Sequence, residues 1–221
     1  MDRLAIIHTT ALTIEPLQAL AAEVLPGREV INFLDDSILP QLRRNGGDLE
    51  EVAGRWLHYV RFAAEAGATA VLSACSSVGE LVPRAAALVA VPVLRIDEPM
   101  AEVAVARAER IGAAATLRTT LEPTLRLLRA KAAGRSVVLE PLLLEEAFRR
   151  LAAGDQEGHD RLLAAALEDL AGRNEVVVLA QASMARVLPV LPDPLQDRFL
   201  CSPRLGLENV KPILEERRRA R

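Results

Sequence analysis

The run Ala74-Cys75-Ser76-Ser77-Val78-Gly79-Glu80 gathers the groups best suited to chemistry: a thiol beside two hydroxyls. Ser77 and Glu80 have the spacing of a capping box, so the segment is expected to run strand, tight turn, helix start. Pro83 makes the first turn irregular before the helix proper. A thiol at that place sits at a helix N-terminus, where free N–H groups and the dipole favour the thiolate. The alternative is a small buried apolar cysteine. Thr9 and Thr10 follow the first aliphatic run, and Thr116, Thr119 and Thr120 follow a later one. With backbone amides, Thr9 and Thr116 could hold a carboxylate without importing a cation; Arg118 is the one cation in these two sets. Thr13 and Thr120, before Glu15-Pro16 and Glu122-Pro123, are expected to be helix caps. His8 ends the first run, either as an acid/base group or as a core histidine with one hydrogen bond. His58 and His159 fall in helical stretches as surface or packing residues, and Cys201 is read as structural.

These groups must be held by elements, and the hydropathy alternates strand with helix, which implies βα units on a largely parallel sheet. Strands are expected at Leu4–His8, 29–33, 69–74, 91–96, 113–117, 136–139 and 176–180. Helices are expected at 14–24, 49–66, 100–110, 123–133, 145–153 and 159–173. Few aromatic residues (3%) leave a core of Ala, Val, Leu and Ile.

The chain also resembles itself when shifted by 107 positions. Thr9 then falls on Thr116, Glu15-Pro16 on Glu122-Pro123, Gly27-Arg28 on Gly134-Arg135, Val71-Leu72 on Val178-Leu179 and Ser76 on Ser183. The matches cluster at turns and strand ends. The expected fold is therefore α/β: two lobes related by a pseudo-twofold axis, each a mostly parallel sheet flanked by helices. The active-site cleft is expected between them, since ligands of open α/β sheets bind outside the carboxyl ends of the strands. The expected division is residues 1–97 plus about 203–221 as the N-terminal lobe, and 98–202 as the C-terminal lobe.

Composition excludes several classes. The 221 residues carry a net charge of −3, with 51% hydrophobic and 26% charged residues, too apolar for disorder. No apolar run approaches the ~20 residues of a spanning helix, and the start Met1-Asp2-Arg3 carries no export signal. A cytoplasmic protein without membrane or nucleic-acid partners is expected, its Arg217-Arg218-Arg219 run being a solvated end. Two cysteines without C-x-x-C indicate neither a disulfide scaffold nor a zinc site. No G-x-G-x-x-G, P-loop or His/carboxylate cluster is present, so no metal or cofactor is expected.

Three segments together resemble the aspartate/glutamate racemase superfamily, which includes hydantoin racemases, arylmalonate decarboxylases and maleate isomerases. Gly67-Ala68-Thr69-Ala70-Val71-Leu72-Ser73-Ala74-Cys75-Ser76-Ser77 is similar to that family's first cysteine strand. Val176-Val177-Val178-Leu179-Ala180-Gln181-Ala182-Ser183-Met184 is similar to its second, and Ala113-Ala114-Ala115-Thr116 to the threonine strand opening its second lobe. The resemblance implies cofactor-independent proton chemistry at the α-carbon of a small carboxylate or amino acid, in a racemase or epimerase. By the same analogy a homodimer is expected. Cys75 is then the proton carrier or nucleophile, with His8 a further acid/base candidate. Thr9, Thr10, Ser76, Ser77, Thr116, Thr119, Gln181 and Ser183 are the candidate substrate-binding residues. The sequence departs from the family in one respect: the residue 107 positions beyond Cys75 is Ala182, not a second cysteine. One-cysteine decarboxylation, cis–trans isomerisation of a small dicarboxylate, or carboxylate binding without turnover are the alternatives.

Overall fold

The computed structural model describes residues 2–219, without the side chains of 218 and 219. Met1 and the side chains of Arg218 and Arg219, named above, lie outside the described residues. Arg217 is not simply solvated: its guanidinium donates to the Ala90 carbonyl at 2.6 Å. The chain forms two compact units, Met1–Glu98 with Pro203–Arg221 and Pro99–Ser202.

In the first unit β1 (Arg3–His8), β2 (Glu29–Leu34), β3 (Ala70–Ser73) and β4 (Val93–Arg95) form a parallel sheet in the order β2-β1-β3-β4. Helices cover both faces, which is why these strands are near-continuous aliphatic runs rather than alternating ones. Side chains still point to opposite faces in turn. Leu4 and Ile6 of β1, with Ala70 and Leu72 of β3, face α1 (Ile14–Val24) through Leu17, Ala21 and Val24. Ala5, Ile7 and Val71 point the other way, onto α2 (Ile38–Arg44), α3 (Glu50–Glu65) and the fully buried Trp56. A 3-10 turn, Ser76–Leu81, follows β3 and runs into the short α4 (Val82–Ala86), with Pro83 in its first turn.

In the second unit α5 (Glu98–Arg107) leads into β5 (Arg110–Ala115), and α6 (Arg118–Lys131) into β6 (Val138–Leu143). Then come α7 (Glu145–Ala152), α8 (Gln156–Arg173), β7 (Val176–Leu179), a 3-10 segment Ala182–Val190, α9 (Asp193–Gln196) and β8 (Phe199–Cys201). The sheet is again parallel, ordered β6-β5-β7-β8. Leu163, Leu167, Leu170 and Ala171 of α8 pack on Ala114, Val177 and Leu179. Gly112 makes that approach possible: a Cβ there would lie 2.8 Å from Leu170 Cγ. From Pro203 onward α10 (Ser202–Arg219) belongs to the first unit, where Leu207, Val210 and Leu214 complete the α1 face of its core. Gly206 is needed there, because a Cβ would stand 2.7 Å from the Ile96 carbonyl oxygen.

Several expectations are corrected. β8 and the helices α2, α9 and α10 have no counterpart among the expected elements, whereas α4 is the helix expected beyond Pro83. α6 begins at Arg118 and carries Pro123 inside it rather than at its start. Thr120 therefore lies within the helix, its carbonyl accepting from the Thr124 hydroxyl at 2.9 Å, and Leu117 is the N-cap. Thr13 does precede α1 but makes no side-chain cap bond.

Candidate active site

The register of the first sheet sets the thiol's neighbour. Ile7 of β1 pairs with Ser73 of β3; two residues further along each strand, on the same face, come Thr9 and Cys75. Cys75 is the N-cap of the 3-10 turn, with φ −138° and ψ 117°, so the turn starts two residues before the place implied by the Ser77/Glu80 spacing. Cys75 is half-buried and packs against the Trp56 face of the core.

Burial is the largest influence on this thiol and pushes its pKa up. The Thr9 hydroxyl, the Ser77 amide and hydroxyl, and the Val78 amide pull it partly back. The expectation of a thiolate favoured by the turn is thereby reversed: desolvation of the charged form outweighs the donors, and the resting group is a thiol. Thr9 is 2% exposed, and its Oγ1 lies close enough to influence the sulfur but has no partner of regular hydrogen-bond geometry. Ser73, 1% exposed one pleat below Cys75, also carries a hydroxyl without a partner. Buried polar atoms are normally satisfied; here the Thr9 hydroxyl has only the sulfur near it and the Ser73 hydroxyl has no partner.

The remaining candidates divide. Ser76 and Ser77 are buried in the turn after Cys75. Thr10 is the N-cap of the turn Ala11–Thr13, accepting from the Leu12 amide at 3.4 Å. His8 is fully buried, with Nδ1 2.8 Å from Thr13 Oγ1 and Nε2 2.9 Å from Asn32 Oδ1. Both ring nitrogens are taken, and burial lowers its pKa, with the Asn32 bond opposing. The ring ties β1 to β2 and to the start of α1. His159 is a packing residue whose Nδ1 lies 2.8 Å from the Ala147 carbonyl oxygen.

Arg95 and Asp97 went unnoticed in the sequence. Arg95 Nε and Nη2 each donate to Asp97 at 2.9 Å, in a pair only 10% and 1% exposed. A Cβ on Gly79 would stand 2.5 Å from the Arg95 guanidinium carbon, so the cation lies directly on the turn that carries Cys75. The available signal was a charged residue ending an aliphatic strand. Arg118 is exposed and pairs with Glu122 at 3.5 Å.

In the second unit Ala114 of β5 pairs with Leu179 of β7; two residues further come Thr116 and Gln181. They bond directly: Gln181 Oε1 accepts from the Thr116 amide at 2.6 Å and from its hydroxyl at 2.9 Å. Gln181 is the N-cap of its 3-10 segment, as Cys75 is of its own, and the amide of Met184 donates to the Gln181 carbonyl just as that of Val78 donates to Cys75. Strand register thus makes Gln181, not Ala182, the counterpart of Cys75. The offset between units is 107 at β1 and β5 (Arg3, Arg110) but 106 at β3 and β7 (Ala70, Val176). Ser183, exposed, then corresponds to Ser77. The Thr119 hydroxyl in the first turn of α6 is buried without a partner.

Among the described residues no group of His, Cys, Asp and Glu could hold a metal ion, and no helix is long and apolar enough to cross a membrane. No curated protein matches the sequence significantly. Solved structures share the fold at low identity. An allantoin racemase from Klebsiella pneumoniae is 20% identical with a TM-score of 0.67, over 98% of this chain and 89% of that one. A glutamate racemase from Bacillus anthracis is 15% identical at 0.74, over 98% and 82%. An aspartate racemase from Picrophilus torridus is 10% identical at 0.73, over 96% and 94%. The family model for Asp/Glu/hydantoin racemases matches residues 6–210, so the chain belongs to that family.

Proposed function

We propose that this chain is a cofactor-independent enzyme of the racemase/epimerase type, in which Cys75 moves a proton at the α-carbon of a small carboxylate or amino acid. The observation that carries the reading is the Cys75 sulfur just beyond the carboxyl end of β3, with the Thr9 and Ser77 hydroxyls acting on it. In the forward step the α-carbon–hydrogen bond breaks, the S–H bond forms, and the electron pair moves into the adjacent carboxylate as an enediolate. The reverse step returns a proton from sulfur to carbon. Hydroxyl and amide donors at the carboxyl end of the first sheet (Thr9, Ser76, Ser77) stabilise the charge that develops on oxygen. Because burial keeps the resting group a thiol, the base form appears only after a proton leaves, and activity should rise with pH above neutrality. His8, with both nitrogens engaged, acts here as a positioning residue for β1 rather than as a proton carrier.

The test is loss of the α-proton signal of L- and D-aspartate and L- and D-glutamate in D₂O, followed by NMR. Cys75→Ser should slow exchange by about 10²–10⁴-fold, the usual worth of a positioned acid/base group. Exchange that survives this substitution overturns the reading. Carboxylate-induced stabilisation with no exchange of any compound favours a binding protein.

A further inference from the structure

We infer that Arg95 is a positioning residue for the reaction at Cys75: pinned by Asp97 and laid across Gly79, its guanidinium fixes the Ser76–Leu81 turn so that the donors of that turn stay aimed at the sulfur. The inference rests on the reading of Cys75 above and deepens it within the first unit.

The glycine in this turn is there for space rather than for backbone freedom. Gly79 is buried in the 3-10 turn and lies outside the left-handed region that favours glycine. A Cβ on it would stand 2.5 Å from Arg95 Cζ and 2.6 Å from both Nε and Nη2. Three nearly equal distances place that point over the face of the planar group, so the cation lies flat on the backbone. The far end of an arginine normally swings aside, but this one is held. Its Nε and Nη2 each donate to Asp97 at 2.9 Å, and the two side chains are 10% and 1% exposed. A bidentate fork of this kind sets the plane of both groups. The end of β4 is itself fixed there, because the Ile96 amide donates to the Ser73 carbonyl at 3.1 Å.

Gly79 directly follows the residues that act on the thiol. The Ser77 amide and hydroxyl and the Val78 amide oppose the effect of burial on the sulfur, and the Val78 amide also donates to the Cys75 carbonyl at 3.3 Å. Arg95 is not among the influences on the sulfur, its charge being matched by Asp97. It therefore acts through the turn. Without the guanidinium the turn has room to shift, and the thiolate that takes the α-proton loses donors that stabilise it.

The experiment uses the full chain carrying Cys201→Ser, so that iodoacetamide reports Cys75 alone. Arg95→Met with Asp97→Leu removes both charges and leaves no buried ion unpaired. The midpoint of labelling should rise by about one pH unit, the scale of one lost hydrogen bond to a charged group. Exchange of the α-proton of aspartate or glutamate in D₂O should lose about tenfold in kcat near neutral pH, with KM within about twofold. Arg95→Lys keeps the charge without the planar fork and should show the same rise, so the test survives a double variant that fails to fold. Leu214→Ala opens a cavity in the opposite core layer of the same unit; it should lower stability and leave midpoint and kcat unaltered. An unmoved midpoint in a folded Arg95 variant overturns the inference. So does a KM that rises with kcat held, which makes Arg95 a substrate ligand, or the same midpoint shift in Leu214→Ala, which makes the pair merely structural. Exchange that is absent for every compound, or insensitive to Cys75→Ser, removes the proposed function, and the labelling midpoint still decides for or against the hold of Arg95 on the turn.

Discussion

The carboxyl ends of the two sheets share a backbone plan and differ in what they carry. Each sheet places a threonine beside the N-cap of a 3-10 segment, at equal distance along paired strands. In the first unit that N-cap is a thiol, beside a glycine turn under a buried Arg95–Asp97 pair, with a buried histidine behind β1. In the second unit the matching places hold Gln181, Ala185, Cys201 and Ala115. One end carries a thiol, the other a carboxamide bonded to its threonine. The lesson is that a shared scaffold keeps the position of a functional group while its chemistry changes freely.

The sharpest way to break this contrast is to remove each unit's thiol in turn. Cys75→Ser should cost about 10²–10⁴-fold in deuterium exchange, and Cys201→Ser less than twofold. Alkylation by iodoacetamide adds a pH axis: Cys75 should label with a midpoint above that of an ordinary thiol, because burial raises it. A midpoint below that value contradicts the balance of burial over donors.

Next is the turn itself. Gly79→Ala pushes a Cβ into Arg95 and so leaves the buried Asp97 without its cation. A loss of about 3 kcal/mol in urea unfolding is expected, the scale of breaking a buried pair. The matching exchange in the second unit, Ala185→Gly, should cost about 1 kcal/mol at most. Equal losses would show that Arg95 has no special hold on the turn.

A smaller effect separates His8 from Ala115. His8 has its folded pKa lowered, so the unfolded chain takes up the proton first as the pH falls. The stability of the neutral, buried ring is therefore complete above about pH 6.5, the unfolded value, and is lost as the pH falls from there toward the folded one. His8→Gln should flatten the pH dependence of unfolding in that window, and an unchanged slope assigns the acid sensitivity elsewhere. Smallest of all, Thr116→Val removes one of two bonds to Gln181 Oε1 and keeps the amide's. A loss of about 1 kcal/mol in urea unfolding is expected.

Much of the scaffold was legible because parallel strands buried on both faces leave unbroken aliphatic runs; α1 begins and ends where its periodicity does. α10 was hidden because Pro203, Gly206 and Pro212 look like helix breakers. In the fold Gly206 serves a close crossing over Ile96, which only the tertiary structure reveals. β8, three residues long, offers too little pattern to find. At the site, Cys75 and Thr9 stood out as residue types. The pairing of Thr116 with Gln181 did not, because a constant offset hides the changed loop lengths: 107 at the first strands, 109 at the next (Glu29, Val138), then 106. Arg95 went unseen because its close approach to the bare backbone of Gly79 arises only in the tertiary fold.

The return of α10 to the first sheet has a consequence for biosynthesis. Leu207, Val210 and Leu214 close the core behind β1 and β3, yet they leave the ribosome after every residue of the second unit. The contiguous half can assemble as it emerges, since domains generally fold as units during synthesis. The half bearing the thiol must wait with one apolar face open until the second unit has been made and α10 has emerged behind it.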